Sequence, residues 1–327
     1  MLINQDIWQK VLRFFKLLPL FFFIRCSPLP PTLGEFREVI VFTDYPIEEV
    51  LERILKKKVY TPQEEFYFKI RYKTLSAFPS LKNFSTLFLI GVVNDEFISD
   101  LIGDKLEIVK RDTFGLFRLK DFYAKNQTIL IFVSSDKNLL KEGLKRYEKR
   151  IFNSLLEHTE NLLAIYTYSQ GIDEQKMEYL KKNYGFTFKI PKRYHLKEEY
   201  KKNNFLYLFT HYPDRSIFIY WQENNRPLIP KEIADLRDSL TIKFYDGDYI
   251  LREYTSAEST NFLGKPAIKI IGVWQNDKDI IGGPFVSYAF NYQNKFFLID
   301  GTLFNPGEKK LSNLLQLDMI LKTFVIY

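Results

Sequence analysis

Apolar residues recur along this chain in two rhythms. Residues 38–43 (EVIVFT) form a short β-branched apolar run, which predicts a strand. Pro46 then suits a first helical turn, and Ile47, Val50, Leu51, Ile54 and Leu55 follow at helical spacing. Residues 66–70 alternate loosely and read as a further strand. Residues 86–93 (TLFLIGVV) are almost continuously apolar, as expected of a strand buried on both faces. A short helix over 95–101 and strands over 116–119 and 128–133 (TILIFV) follow. Leu140, Leu144, Tyr147, Ile151, Leu155, His158, Leu162 and Ile165 keep three- and four-residue steps, started by Ser135 and Asp136. They predict one helix, or two end to end, covering the sheet. Strands alternating with helices make residues 36–166 an α/β layer.

From residue 167 the rhythm changes. A helix over 173–183 stops at Gly185, in the usual C-terminal role of glycine. Strand-like runs cover 186–190, 205–210 and 217–221, and Pro230 opens a helix with apolar positions Ile233, Leu236 and Leu240. Runs over 249–254, 267–274, 285–292 and 296–304 are joined by short turns such as Asn294-Lys295, which predicts an antiparallel meander. Asn305-Pro306-Gly307 breaks the chain before a last helix carrying Leu311, Leu314, Leu315, Ile320, Leu321 and Phe324. The expected fold class is therefore α+β: an N-terminal α/β layer, then, over 167–327, an antiparallel sheet flanked by helices.

The N-terminus reads as an address. Lys10, Arg13 and Lys16 precede an apolar run from Leu17 to Ile24, in the order of a secretory signal. That run is far shorter than the ~20 residues that span a bilayer as a helix. Cys26, the only cysteine, follows it directly, so no disulfide forms within the chain. Ser27, Pro28, Pro30 and Pro31 then make residues 27–35 a tether that cannot continue a helix. The order resembles a bacterial lipoprotein signal over 1–26 with lipid attached at Cys26. Arg25 stands where such signals carry a small residue, so an uncleaved anchor segment is the other reading.

Composition is that of a globular chain, with 46% hydrophobic and 27% charged residues. Net charge is +7, of which the leader holds +3 (four cations against Asp6). The remaining +4 is too mild and too scattered for a nucleic-acid binder. The three histidines, at 158, 195 and 211, have no metal-ligand spacing, and no phosphate loop or G-x-S-x-G elbow exists. No cofactor and no metal are expected. Asp246-Gly247-Asp248 and Asp277-Lys278-Asp279 read as turns rather than calcium loops.

A few polar words stand out. Arg237 borders the apolar face of its helix. It fits either an ion pair tying helix to sheet or a ligand-reading guanidinium. Gly282-Gly283 lies between two strands, as a turn, a bulge or a place where a ligand nears the backbone. Trp221 and Trp274 end strands, either as core packing or as an aromatic platform for a glycan or peptide. Binding candidates are Trp274, Gly282, Gly283 and Phe285; catalytic candidates are Arg237 and Asp238, then Asp248 and Glu253.

Ile190-Pro191-Lys192-Arg193-Tyr194, Ile217-Phe218-Ile219-Tyr220, Arg237-Asp238-Ser239-Leu240, Gly272-Val273-Trp274 and Gly282-Gly283-Pro284-Phe285-Val286-Ser287 resemble, in this order, the domain-of-unknown-function family 4837. That family consists of bacterial envelope lipoproteins, chiefly of the Bacteroidetes. The resemblance implies location and fold but no activity. The opening FTFKIPKRY over 186–194 is also similar to the PsbP/Mog1-type α/β/α sandwich. The expectation is a membrane-anchored binding, assembly or scaffolding module of the cell envelope, its body facing the periplasm or cell surface, its partner an envelope protein or glycan. The alternative is an envelope hydrolase or transferase whose site is assembled from distant residues.

Overall fold

A computed structural model describes residues 28–327. The expected leader, with Cys26, lies outside the described residues. Among those described, no helix is long and apolar enough to cross a membrane.

The first layer is a five-stranded sheet. Its strands are β1 (Glu38–Phe42), β4 (Lys69–Lys73), β5 (Thr86–Val92), β6 (Phe114–Lys120) and β7 (Thr128–Ser134), in the order β4-β1-β5-β7-β6. All neighbours run parallel except β6, which pairs antiparallel with β7. The central strands β1, β5 and β7 are buried along their whole length, because helices cover both faces. Val39, Val41, Phe88, Ile90, Leu130 and Phe132 point to one core, under α1 (Glu48–Leu55), α4 (Leu140–Arg146) and α5 (Glu148–Thr167). Their sequence neighbours Ile40, Phe42, Leu87, Leu89, Ile129 and Ile131 point to the other, under α2 (Glu96–Ile102) and α3 (Leu106–Asp112). This is the period-2 alternation of strands sandwiched between helices.

The second layer is a seven-stranded antiparallel sheet in the order β12-β13-β14-β15-β11-β10-β9. Its strands are β9 (His195–Lys197), β10 (Phe205–Thr210), β11 (Asp214–Glu223), β12 (Tyr249–Phe262), β13 (Lys265–Asn276), β14 (Ile281–Tyr292) and β15 (Lys295–Phe304). Two-residue turns with positive φ at both positions, Leu263-Gly264 and Gln293-Asn294, join the meander, as the twist of antiparallel pairs prefers. One face packs on α6 (Glu174–Tyr184) and α8 (Leu311–Leu321), the other on α7 (Pro230–Phe244). The two sheets share α5, whose Ile151, Phe152 and Leu155 enter the first core while Leu163 enters the second. A hairpin of β2 (Lys58–Thr61) and β3 (Gln63–Phe66) reaches across, placing Val59 in the second core. The α+β expectation thus describes the molecule.

Several expected elements differ in detail. The strand expected over 66–70 is cut at Tyr67-Phe68, where both rings turn onto Phe152, with centroids 5.3 and 5.4 Å away. The run 186–190 is regular only at β8 (Phe186–Thr187), paired with the C-terminal β16 (Val325–Ile326). The stripe over 140–165, expected as one helix or two end to end, forms two that meet at Tyr147. The strand expected to end at Tyr254 continues to Phe262 after a bulge. Gly282-Gly283-Pro284 is no turn between strands but the first part of β14, paired with Gln275, Trp274 and Val273.

Candidate functional site

The singled-out residues of the second layer meet beneath α7. Arg237 faces the sheet from mid-helix and is 0% exposed. Its Nε donates to Asp300 Oδ2 at 2.7 Å, and Nη2 donates to Asp300 Oδ1 at 3.4 Å and to Thr302 Oγ1 at 3.2 Å. The guanidinium carbon lies 3.6 Å from the centre of the Phe285 ring. Asp300 also accepts from Ser287 Oγ at 2.5 Å and from Thr302 Oγ1 at 2.7 Å. Register explains the convergence: Ser287 on β14 stands opposite Asp300 on β15, and Thr302, two residues on, shares its face. Two charges are thus held in a dry core by pairing and hydrogen bonds. Arg237 Nη1 is buried without a hydrogen-bond partner among the described residues.

Asp238, one residue on, points the other way. Its Oδ1 accepts from Ile250 N at 2.7 Å and Oδ2 accepts from Arg252, so it pins the start of β12 to α7. Arg252 also reaches Asp235 at 2.9 Å. Asp248 lies in the turn entering β12, where its Oδ1 accepts from Asn276 Nδ2 at 2.9 Å. Burial pushes its carboxyl up to about 6, against the hydrogen bond from Asn276. Glu253 sits in a bulge, because residues 252–255 have only Gly272 opposite them. A Cβ on Gly272 would fall 2.1 Å from Thr255 Oγ1, so the bulge folds down where a side chain is lacking.

The glycine pair answers to neighbouring strands. A Cβ on Gly283 would lie 1.9 Å from the Leu303 carbonyl oxygen, and one on Gly282 would lie 2.7 Å from that of Trp274. Pro284 has no N–H to donate, and the β14–β15 ladder begins only at Phe285. The Leu303 carbonyl accepts instead from Trp274 Nε1 at 3.2 Å. Trp274 is therefore buried rather than an exposed platform, and Phe285 is buried under Arg237.

Trp274 also forms a partition between two concavities. On one side a cleft of about 400 Å³ is lined by Leu251 and Tyr254 of the bulged strand, Ile280 and Gly282 at the start of β14, and Pro62 at the hairpin tip. Ile280 is 90% exposed there, and Tyr254 packs on Tyr60 with ring centres 5.8 Å apart. On the other side a cavity of about 190 Å³ lies among Phe209, Ser216, Tyr245, Asp248 and Phe304, with His211 and Asp214 also lining it. Tyr245 and Asp300 carried no local sign in the sequence; only the register of β15 and the end of α7 bring them to the site. Among the described residues no group of three or more His, Cys, Asp or Glu side chains is placed to hold a metal ion.

Residues 173–323 match the sequence model of a family described as Domain of unknown function (DUF4837). The match is confined to this segment. It contains Arg237, Asp300, Trp274 and both glycines; the five-stranded sheet lies outside the matched residues. Comparison with curated proteins finds no match. Among solved structures, the chain is similar to the cyanobacterial PsbP (CyanoP) of Synechocystis sp. PCC 6803, at 9% identity over 44% of this chain and 87% of that one, TM-score 0.33. It is similar to the Ran-binding protein Mog1p of Saccharomyces cerevisiae, at 12% identity over 43% and 90%, TM-score 0.30. LpqN of Mycobacterium tuberculosis, described as involved in cell envelope biogenesis, matches at 10% identity over 43% and 82%, TM-score 0.30. Both folds named from residues 186–194 are among the solved structures to which the chain is similar.

Proposed function

We propose that this chain is a non-catalytic binding or assembly module of the bacterial cell envelope, held to a membrane through residues 1–26 with Cys26 as the lipid-bearing residue. One observation carries the binding reading. Three of the four polar groups nominated for catalysis are committed to separate structural tasks. Arg237 is consumed by Asp300, Asp238 by Ile250 N and Arg252, and Asp248 is bonded to Asn276, while Glu253 stands exposed on the bulge. A general acid or base needs a free, aimed group within reach of the reacting atom. The open cleft beside Trp274, with Tyr254 and Ile280 on its walls, instead offers apolar surface to an envelope protein or glycan. The anchor is supported by the basic and apolar run, Cys26 and the proline tether.

Two measurements on full-length protein test this. Expressed in a bacterial host, the wild type should lose residues 1–25, gain a diacylglycerol-sized mass and partition into detergent, while Cys26→Ala should not. Identical mass and partitioning of the two removes the lipid anchor from the proposal. Turnover of an envelope substrate by the purified protein, abolished in Asp238→Asn at unchanged Tm, would replace the binding reading with the hydrolase or transferase alternative.

A further inference from the structure

Residues 29–36 lie along one pole of the five-stranded sheet, where β7, β5 and β1 begin. The Lys125 N–H donates to the Pro30 carbonyl at 2.8 Å just before β7. Leu33 donates to the Asn83 carbonyl and accepts from Ser85 N just before β5, and Phe36 leads into β1. Along this path Leu29, Leu33 and Phe36 stay exposed. Neighbouring elements bring more apolar surface. Phe122, in the turn from β6 to β7, packs on Tyr123 with ring centres 4.7 Å apart, and Tyr166 near the end of α5 meets Phe36 at 5.4 Å. Ile165, beside it on α5, borders the hollow that Lys120 and Asn126 line. Leu29, Leu33, Phe36, Phe122, Ile165 and Tyr166 are 36–54% exposed. Single exposed apolar residues are ordinary on any surface; six around one pole form a patch.

The charge between these side chains is mainly positive. Lys82, Lys120 and Lys125 are exposed and form no ion pair among the described residues. The Lys82 ammonium lies 5.2 Å from the centre of the Tyr123 ring, and Lys309 stands beside Phe36. Against them is Asp121, which accepts from the backbone N–H groups of Asn126 and Gln127. Other charges bordering the patch are matched: Arg118 with Glu157 at 3.1 Å, Arg71 with Glu38 at 3.1 Å, Lys69 with Glu35 at 2.9 Å and Arg37 with Glu65 at 3.1 Å. Four cations against one acid leave an excess of positive charge among exposed rings and aliphatic chains. That mixture suits the interface of a bilayer, where aromatic and leucine side chains enter the headgroup layer and lysines stretch to its phosphates.

We propose that this pole is the face by which the body lies on an anionic lipid bilayer, with Leu29, Leu33 and Phe122 entering the headgroup layer and Lys82, Lys120 and Lys125 reaching its phosphates. The tether agrees with this. Cys26 stands four residues before Pro30, so even a fully extended chain puts at most about 14 Å between them. A lipid on Cys26 therefore brings this pole, before any other part of the body, to the headgroups. The proposal rests on the anchor in the reading above and adds the orientation of the body on the membrane.

The test reconstitutes full-length protein into vesicles of phosphatidylglycerol and phosphatidylcholine whose acyl chains carry bromine, a short-range quencher of indole emission. Phe122→Trp reports on the pole. Asn138→Trp is the reference: it is exposed beyond the far end of β7, a seven-residue strand of about 23 Å. Wild-type protein sets the background from the chain's own tryptophans. Where intact mass shows no lipid, Cys26, the only thiol, is joined to a maleimide-bearing lipid in the same vesicles. The tether is then present in either case, and the mass alone reports on the natural anchor. With Tm held near wild type, Phe122→Trp should lose emission on brominated relative to unbrominated vesicles, and Asn138→Trp should keep it. Lys82→Gln, Lys120→Gln and Lys125→Gln together, all at exposed positions, should restore part of the lost emission, each lysine being worth about fivefold in partitioning to an anionic surface. Salt at ~1 M, where the Debye length is about 3 Å, should do the same. Quenching at neither position, at both alike or at Asn138→Trp alone overturns the proposal, whatever the mass says of the anchor. Quenching at Phe122→Trp that the lysine changes and salt leave untouched overturns the role given to the phosphates.

Discussion

The Arg237–Asp300 pair allows its role to be read from stability alone. Take Arg237→Met, which keeps the apolar stem against Phe285 and removes the guanidinium. Asp300 is 0% exposed and would remain as a carboxylate facing only Ser287 and Thr302. Removing one partner of a buried pair costs about 3–5 kcal/mol, because the other charge stays uncompensated. Two hydroxyl donors persist here, so the lower end, ~3 kcal/mol, applies. With ~2.1 cal/mol/K of unfolding entropy per residue over roughly 300 residues, ~1 kcal/mol is worth about 1.6 °C, so Tm should fall by about 5 °C. Asp300→Asn on top of Arg237→Met takes away the orphaned charge while keeping an acceptor for the same hydroxyls. The double variant should therefore recover most of the loss, giving a coupling of ~2 kcal/mol or more in a double-mutant cycle. Thermal unfolding of the four proteins, followed by circular dichroism at neutral pH, measures it. A cost under ~1 kcal/mol for Arg237→Met, or a double variant as unstable as the single, refutes the argument. Either result would mean that the guanidinium is free for some task other than holding α7 to the sheet.

Two further predictions concern other parts of the fold. His158 Nε2 lies 3.0 Å from the Ser85 carbonyl oxygen and must donate to it, leaving Nδ1 to accept from Thr128 Oγ1 at 3.0 Å. Burial lowers its pKa from 6.5 to about 4. The unfolded chain thus binds more protons than the folded one between those values. Stability should fall as pH drops through that window, by on the order of 3 kcal/mol at ~1.4 kcal/mol per tenfold. Asp248, raised to about 6, slopes the opposite way in the same window, so the check is the difference between wild type and His158→Asn: a difference independent of pH from 7 to 4 refutes the assignment. Gly283→Ala would put a methyl on the Leu303 carbonyl, so β15 must shift; a loss of ~1–3 kcal/mol is expected, together with a shift in tryptophan emission as the Trp274 indole loses its acceptor. Unchanged Tm and emission would show that the strands have slack there.

The sequence disclosed most where burial is complete. Residues 86–93 and 128–133 read as central strands because helices on both faces leave only one polar position in each, the first threonine. Of the two readings open for Arg237, an ion pair tying helix to sheet or a guanidinium that reads a ligand, the structure contains the ion pair. Asp300 stayed invisible, since it is 63 residues away and one aspartate in a strand looks like any other; its role comes from lying opposite Ser287 and under Arg237. The later part of β12 was missed because an edge strand has fewer apolar positions to show: Ser256, Glu258, Ser259 and Asn261 are all exposed. The hairpin of β2 and β3 is charged for the same reason, and its single buried valine is too weak a period to read. Trp274 and Gly283 were singled out as a binding face, and their shared cause, a carbonyl that Pro284 cannot serve, lies on a strand distant in sequence.

Helix α5 carries one last implication. Its first half belongs to the core of the parallel sheet and its second half to that of the antiparallel sheet. Lys322 beside α8 reaches Glu160 on the same helix at 2.8 Å while also holding Asp318. Neither half of the molecule can melt without stripping apolar surface from the other. Heating should therefore give one calorimetric transition rather than two, and a cut made at residue 167 should yield fragments that aggregate rather than two smaller proteins.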